Sequence, residues 1–245
     1  FIRAQRQFHQ NQQMAWELRK AHQDTELEQR RRQEQSQFLH MLMHELKNPL
    51  AIIEMAQRAD NDKDTTSNYI SRSVQSMKEV IDRCVKTDKL AQGHVDVHIE
   101  PIDLNTAIHA CLQERDHDGN ETGLLLGRNL FVQTDKQFLQ IMLNNLLDNA
   151  QRYGDPRVPI ELLAQPVSNA QGHPGVAITI ANRPGKAAWP DADRVFTKYY
   201  RSKGAEVQSG TGLGLYLVRT MAHLVGGDCR YVPDDKHIRF EIGRA

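Results

Sequence analysis

Three short constellations in this sequence hold residues of the types that do chemistry. In LHMLMHELKNPLAII, from Leu39 to Ile53, an imidazole (His44), a carboxylate (Glu45) and an amide (Asn48) precede Pro49. A neutral imidazole, with a pKa of about 6.5, keeps a lone pair for nucleophilic attack near neutral pH, and a neighbouring carboxylate can fix its tautomer. In LNNLLDNAQRYG, Asn145 and Asn149 stand four apart and Arg152 three further on, so the three share one side of a helix. An amide carbonyl is a suitable oxygen ligand for Mg²⁺, and a guanidinium can meet phosphate oxygens. In SGTGLGLYLV, Gly210, Gly212 and Gly214 precede an apolar helix. Glycines let the backbone approach a phosphate, and the helix N-terminus offers free N–H groups to an anion. The GxGxG spacing, with no strand immediately before it, is not the dinucleotide fingerprint. Just upstream, VFTKYYRSKG supplies aromatic rings to anchor a loop, with Arg201 and Lys203 to reach phosphates.

These residues need elements to position them. Leu39, Met43, Leu46, Leu50 and Ile53 recur at three and four, the seam of a helix packed on partner helices, and His44 falls beside that seam, toward water. Pro49 removes the bond to the Glu45 carbonyl, at roughly 3 kcal/mol, and should bend the helix near His44. Phe8, Ala15 and Leu18 run in phase with the seam, which predicts one continuous helix entering from residues 1–36 and able to transmit twist or tilt. RADNDKDTT predicts a turn, and a second helix follows from about Thr65 to Gln92 with Ile70, Val74, Met77, Ile81 and Cys84 as its stripe. Such a hairpin is too thin to stand alone, so dimerisation into a four-helix bundle is expected.

All 15 glycines lie at or beyond Gly93, which marks the boundary between two kinds of construction. Beyond it HVDVHIEP, NLFVQTD, PIELLAQPV, GVAITIAN and HIRFEIG predict strands, and residues 103–116, 134–153 and 213–225 predict helices. The fold class expected is a multidomain chain: an all-α antiparallel hairpin, then an α+β sandwich with helices on one face of a sheet. Residues 183–209 should form a long irregular segment of lid type.

Composition removes several alternatives. Formal net charge is zero and hydrophobic residues make up 39%, so nothing suggests nucleic acid or a membrane surface as a bulk electrostatic partner. Cys84, Cys111 and Cys229 are odd in number and form no CxxC, which fits a reducing cytosol without a zinc site. The chain begins at Phe1 and holds no run of 18 apolar residues, so it reads as a piece of a longer protein whose membrane anchor would lie upstream.

With these stretches in view, the chain resembles bacterial sensor histidine kinases. HELKNPL is similar to their phosphoacceptor box, NNLLDNAQRY to their N box, VFTKYYR to their F box and GTGLGL to their second glycine box, in that order, and the likeness covers about residues 36–243. The resemblance implies a signalling coil (1–36), a dimerisation and phosphotransfer hairpin (37–93) and an ATP-binding domain (94–245) of the GHKL kind shared with gyrase, Hsp90 and MutL. It implies that His44 is phosphorylated, that Glu45 orients or deprotonates it, and that Asn48 positions water for hydrolysis of a partner's aspartyl phosphate. It further implies Asn149 as the Mg²⁺ ligand, Asn145, Arg152 and Tyr153 around the nucleotide, and Gly210, Gly212 and Gly214 beside the phosphates of ATP. The implied partners are a second copy and a response regulator, and the implied location is the cytoplasmic part of an inner-membrane sensor. One box departs from the pattern: where the family has DxGxG, ITIANRPGK places Asn182 at the Asp that accepts from the adenine amino group, Pro184 at the first Gly, and Gly185 one position off the second. Weaker ATP binding is the expectation. A nucleotide-degenerate interaction protein that modulates other sensor kinases is the alternative.

Overall fold

A computed structural model describes residues 2–58, 63–91, 95–113, 115, 122–168, 174–187, 189–202, 204 and 210–243. The first half is two helices, α1 (Ile2–Arg58) and α2 (Lys63–Ala91), packed on each other as a hairpin. No glycine interrupts α1, and i,i+4 pairs such as Arg32–Glu28 at 2.6 Å line its polar surface, so 57 residues remain one helix. The helix continues through Pro49 to Arg58.

The hairpin covers part of each expected stripe, with Leu46 and Ile53 of α1 and Ile70, Met77 and Cys84 of α2 partly buried. In α1, Glu45, Pro49 and Ala56 are buried, whereas Leu39 and Met43 are 53% and 73% exposed. In α2 the covered line runs through Ser73, Val80 and Thr87, spaced by seven, and leaves Val74 and Ile81 exposed. The hairpin's inner seam thus mixes small hydroxyl residues with Ala56 and Val80, while other large aliphatics stay exposed.

The second half is the α+β sandwich. Strands β1 (Glu100–Asp103) and β3 (Phe131–Thr134) pair antiparallel; β2 (Thr122–Leu126), β4 (Ile160–Ser168), β5 (Pro174–Asn182), β7 (Ile238–Gly243) and β6 (Asp228–Tyr231) form a mixed sheet in the order β2-β4-β5-β7-β6. Among the described strand pairs of this sheet, β2–β4 is parallel and the others antiparallel. Helices α3 (Leu104–Gln113), α4 (Lys136–Tyr153) and α5 (Gly214–Leu224) share one hydrophobic core with the sheet. Period-two alternation buries Ile238, Phe240 and Ile242 of β7 and, opposite them, Ile178 and Ile180 of β5.

Residues 95–99, expected within a strand, are not in one. Pairing begins at Glu100, where β3 supplies a four-residue partner. The described residues between Arg183 and Gly210 form no helix or regular strand, as the lid-like segment required. Val195 is buried, and Phe196 meets Phe240 edge-on at 6.1 Å, so an aromatic side chain does anchor this segment to the core.

Candidate functional site

Helix α4 is capped by Asp135, whose carboxylate accepts from the Phe138 and His98 backbone N–H groups at 3.0 and 2.9 Å. Burial pushes this carboxyl up, but the backbone N–H groups of Phe138, His98 and Gln137 outweigh it and hold the pKa below the ordinary value. Seven core positions from Phe138 to Ala150 then fix the helix's rotation. Asn145, Asn149 and Arg152 are left on the flank, where they line an open cleft with both polar and apolar walls.

The amide of Asn145 donates to the Ile141 carbonyl at 2.8 Å, and its Oδ1 faces Gly214, where an added Cβ would lie 2.9 Å away. Gly210 packs on the Arg152 guanidinium and the Tyr153 hydroxyl, with a Cβ position 2.9 Å from Nη1 and 3.4 Å from Oη. Gly212 has φ +65 and sits against the Tyr199 and Tyr200 backbone. The three glycines thus let one turn fit between α4 and the aromatic segment. Helix α5 starts right after the turn, and its N-cap, Leu213, makes no side-chain cap. The first turn therefore receives no cap from Leu213, and its N–H groups and dipole favour an anion there.

Asn182 ends β5 on the side that buries Ile178 and Ile180, so strand alternation aims it into the cleft; it is 6% exposed. Its Nδ2 donates to the Arg183 carbonyl at 3.0 Å, which leaves Oδ1 as an acceptor. Gly185 does not line the cleft. It packs beneath it, its N–H donating to the Tyr153 carbonyl at 2.9 Å, while Pro184 bridges to Gly154. A Cβ at Gly185 would lie 2.6 Å from the Gly154 carbonyl oxygen, so the displaced glycine serves the close packing of this segment on the end of α4.

Sequence reasoning did not assign Asp148, Thr211 and Phe240, which also line the cleft. Asp148 is bonded to Arg115 at 2.6 Å, so the cleft's carboxylate is charge-paired. Arg201 lines the cleft too; Lys203 lies outside the described residues.

His44, Glu45 and Asn48 sit on α1 and do not line the cleft. The His44 side chain is 51% exposed and that of Glu45 only 5%, and His44 Nδ1 lies 3.2 Å from Glu45 Oε1. Asn48, four residues on, is exposed. Two contacts that the sequence gave no sign of join α1 to the loop after β5: Glu45 Oε1 lies 3.8 Å from Arg201 Nη1, and the Phe38 and Tyr199 rings lie 6.2 Å apart.

With this geometry in place, comparison with known proteins is informative. Residues 134–244 match the family described as histidine kinase-, DNA gyrase B-, and HSP90-like ATPase. The chain is 26% identical over 223 residues to the swarming motility regulation sensor protein RssA of Serratia marcescens, covering 86% of this chain and 46% of that protein. It is 27% identical over 216 residues to the sensor histidine kinase HprS of Escherichia coli, covering 84% and 46%. It thus spans about half the length of the curated relatives it matches. Among solved structures, the histidine kinase AdeS of Acinetobacter baumannii superposes with a TM-score of 0.65 at 17% identity, over 82% of this chain and 97% of that one, which is a likeness of fold.

Proposed function

We propose that this chain, similar to sensor histidine kinases along most of its length and to the histidine kinase-, DNA gyrase B- and HSP90-like ATPases over residues 134–244, phosphorylates His44 from ATP and passes the phosphoryl group to an aspartate of a response regulator. The observation that carries the proposal is an exposed imidazole whose Nδ1 is 3.2 Å from a buried carboxylate, beside a domain whose cleft is built from amides and a glycine turn. With the Nδ1 proton held by Glu45, Nε2 keeps its lone pair. Nε2 forms a bond to the γ-phosphorus as the bond to the β,γ-bridging oxygen breaks; ADP leaves, and the Nδ1 proton is shared with Glu45, which offsets the charge gained by the ring.

The cleft suits a magnesium nucleotide. Neutral amide oxygens at Asn145 and Asn149 are the donors expected of a hard ion whose remaining ligands are phosphates and water. Asn149 would hold Mg²⁺, which supplies charge neutralisation to the phosphates when bound. Arg152, Arg201 and Lys203 would meet phosphate oxygens, Gly210, Gly212 and Gly214 would let the backbone approach them, and the α5 N-terminus would favour their charge. The Asn182 Oδ1 would accept from the adenine amino group, with Tyr153 and Gly185 supporting that end of the site. Asn48, a turn beyond His44, is the residue proposed to orient water for dephosphorylation of the regulator.

A homodimer is part of the reading. Leu39, Met43 and Leu50 on α1 and Val74, Ile81 and Val85 on α2 expose large apolar side chains that a second hairpin would cover. So is the division into residues 1–36, 37–93 and 94–245, and placement on the cytoplasmic side of a membrane. Among the described residues, no helix is long and apolar enough to cross one. Asn182 and Pro184 favour a second reading, in which a weakened nucleotide site leaves a modulator of other sensor kinases.

One experiment separates them. The chain is incubated with γ-labelled ATP and Mg²⁺, and the label is tested for acid lability, base stability and loss in His44→Gln. Absence of label on a folded dimer would favour the modulator, and acid-stable label would remove the histidine mechanism.

A further inference from the structure

One side chain touches both halves of the proposed reaction. Arg201 lines the cleft. Its Nη1 is 3.8 Å from Glu45 Oε1, and that same oxygen is 3.2 Å from His44 Nδ1. The Arg201 and Glu45 side chains are 19% and 5% exposed. At 3.8 Å the pair is a charge contact and not a hydrogen bond, but so little solvent surrounds it that screening is weak.

A second contact holds the same loop to the same helix. Phe38 lies two turns before Glu45 on α1, and its ring meets Tyr199, two residues before Arg201. The Tyr199 N–H donates to the Gly212 carbonyl at 3.0 Å, so the loop that carries Arg201 is also tied to the glycine turn.

We propose that Arg201 is a positioning residue that couples the nucleotide cleft to Glu45. Its guanidinium is divided between a phosphate in the cleft and the Glu45 carboxylate, so each anion weakens the hold of the other. When a phosphate draws Arg201 inward, Glu45 is left to the Nδ1 proton of His44, the arrangement the phosphoryl acceptor needs. Without nucleotide, Glu45 is shared with Arg201 and the imidazole is less firmly oriented. The inference rests on the reading that the cleft takes ATP.

Reciprocity makes this testable at the nucleotide side. If a phosphate loosens Glu45 from Arg201, removing the Glu45 charge tightens the nucleotide by the same factor. Glu45 does not line the cleft, so its replacement deletes no cleft contact. Plain repulsion between Glu45 and the phosphates would have the same sign. It differs in one respect, because repulsion does not need Arg201.

The experiment is calorimetry on the whole chain with Mg²⁺ and the β,γ-imido analogue of ATP, for wild type, Glu45→Gln, Arg201→Met and the double variant. Glu45→Gln is expected to tighten binding by about fivefold or more, the lower end of coupling between sites, and to change nothing in the Arg201→Met background. Phe38→Ala releases the loop at its ring contact without altering either charge, and is expected to tighten binding as well, which covers the case in which Glu45→Gln does not fold. Unchanged affinity in the folded variants, or an equal gain with and without Arg201, overturns the inference while the functional reading stands. Failure of the wild type to bind the analogue overturns both.

Discussion

Replacing Gly212 by alanine tests whether the glycine turn has the shape described. Its φ is +65, where an L-residue is strained, and an added Cβ would lie 2.7 Å from the Tyr199 carbonyl carbon and 2.8 Å from the Tyr200 oxygen. Both neighbours are backbone atoms, so no rotamer change relieves the contact. The left-handed conformation alone costs about 1–2 kcal/mol, and forcing a methyl into filled space costs roughly another 1–3 kcal/mol. Even the lower sum, about 2 kcal/mol, is a loss of roughly thirtyfold if it falls on nucleotide binding. Calorimetry with Mg²⁺ and the imido analogue reads that share, and thermal unfolding reads any share borne by the fold. Gly123→Ala is the control, because its nearest neighbour would be 3.8 Å away and its φ is not positive. Gly214→Ala should fall between them, since its contact at 2.9 Å is the movable amide of Asn145. Wild-type affinity together with a wild-type melting temperature in Gly212→Ala would refute the described turn.

Two further outcomes follow from the site. Asn182→Asp sets a carboxylate oxygen against the Arg183 carbonyl, which now accepts at 3.0 Å, and burying that unsatisfied contact should cost about 1–3 kcal/mol of stability. A charged acceptor for the adenine amino group should at the same time tighten nucleotide binding by about tenfold; a folded variant that binds no better than wild type would refute the assigned role. Asp135 has a folded-state pKa below its ordinary 3.8, so between the two values the unfolded chain holds more protons. The stability it contributes is complete above about pH 4 and is lost as pH falls through the folded value. Asn at that position keeps a cap but cannot titrate, so acid unfolding of Asp135→Asn followed by circular dichroism should be less steep than wild type in that window.

The order of elements in the second half was legible because its strands alternate and its helices carry three-four spacing. Strand β2, TGLLL, was not, because both its glycine and its consecutive leucines break the alternation, and β6 is four residues of mixed polarity read only through its pairing with β7. The helical hairpin was legible as two helices, and its three-four spacing marks residues that are partly buried within it, Leu46, Ile53, Ile70, Met77 and Cys84, together with exposed ones. Polar Glu45, Ser73 and Thr87, buried in the hairpin along with Ala56 and Val80, carry no apolar signal in the sequence that could have marked them. Asn145, Asn149, Arg152 and the glycines could be grouped from spacing because each group lies on one element. The meeting of Glu45 with Arg201, and of Phe38 with Tyr199, joins residues more than 150 positions apart. Only three-dimensional packing brings them together.

The length of α1 has a mechanical consequence. At about 1.5 Å per residue, its 57 residues make a rod of about 85 Å, with its only proline close to the far end. Between Ile2 and His44 nothing breaks the hydrogen-bond ladder, so the rod resists torsion and bending alike, and a push or roll at one end arrives at the other as a change of orientation. Angular phase is then counted in residues: one added or removed upstream swings the imidazole by about 100° relative to whatever drives the rod, whereas a whole heptad nearly restores its bearing.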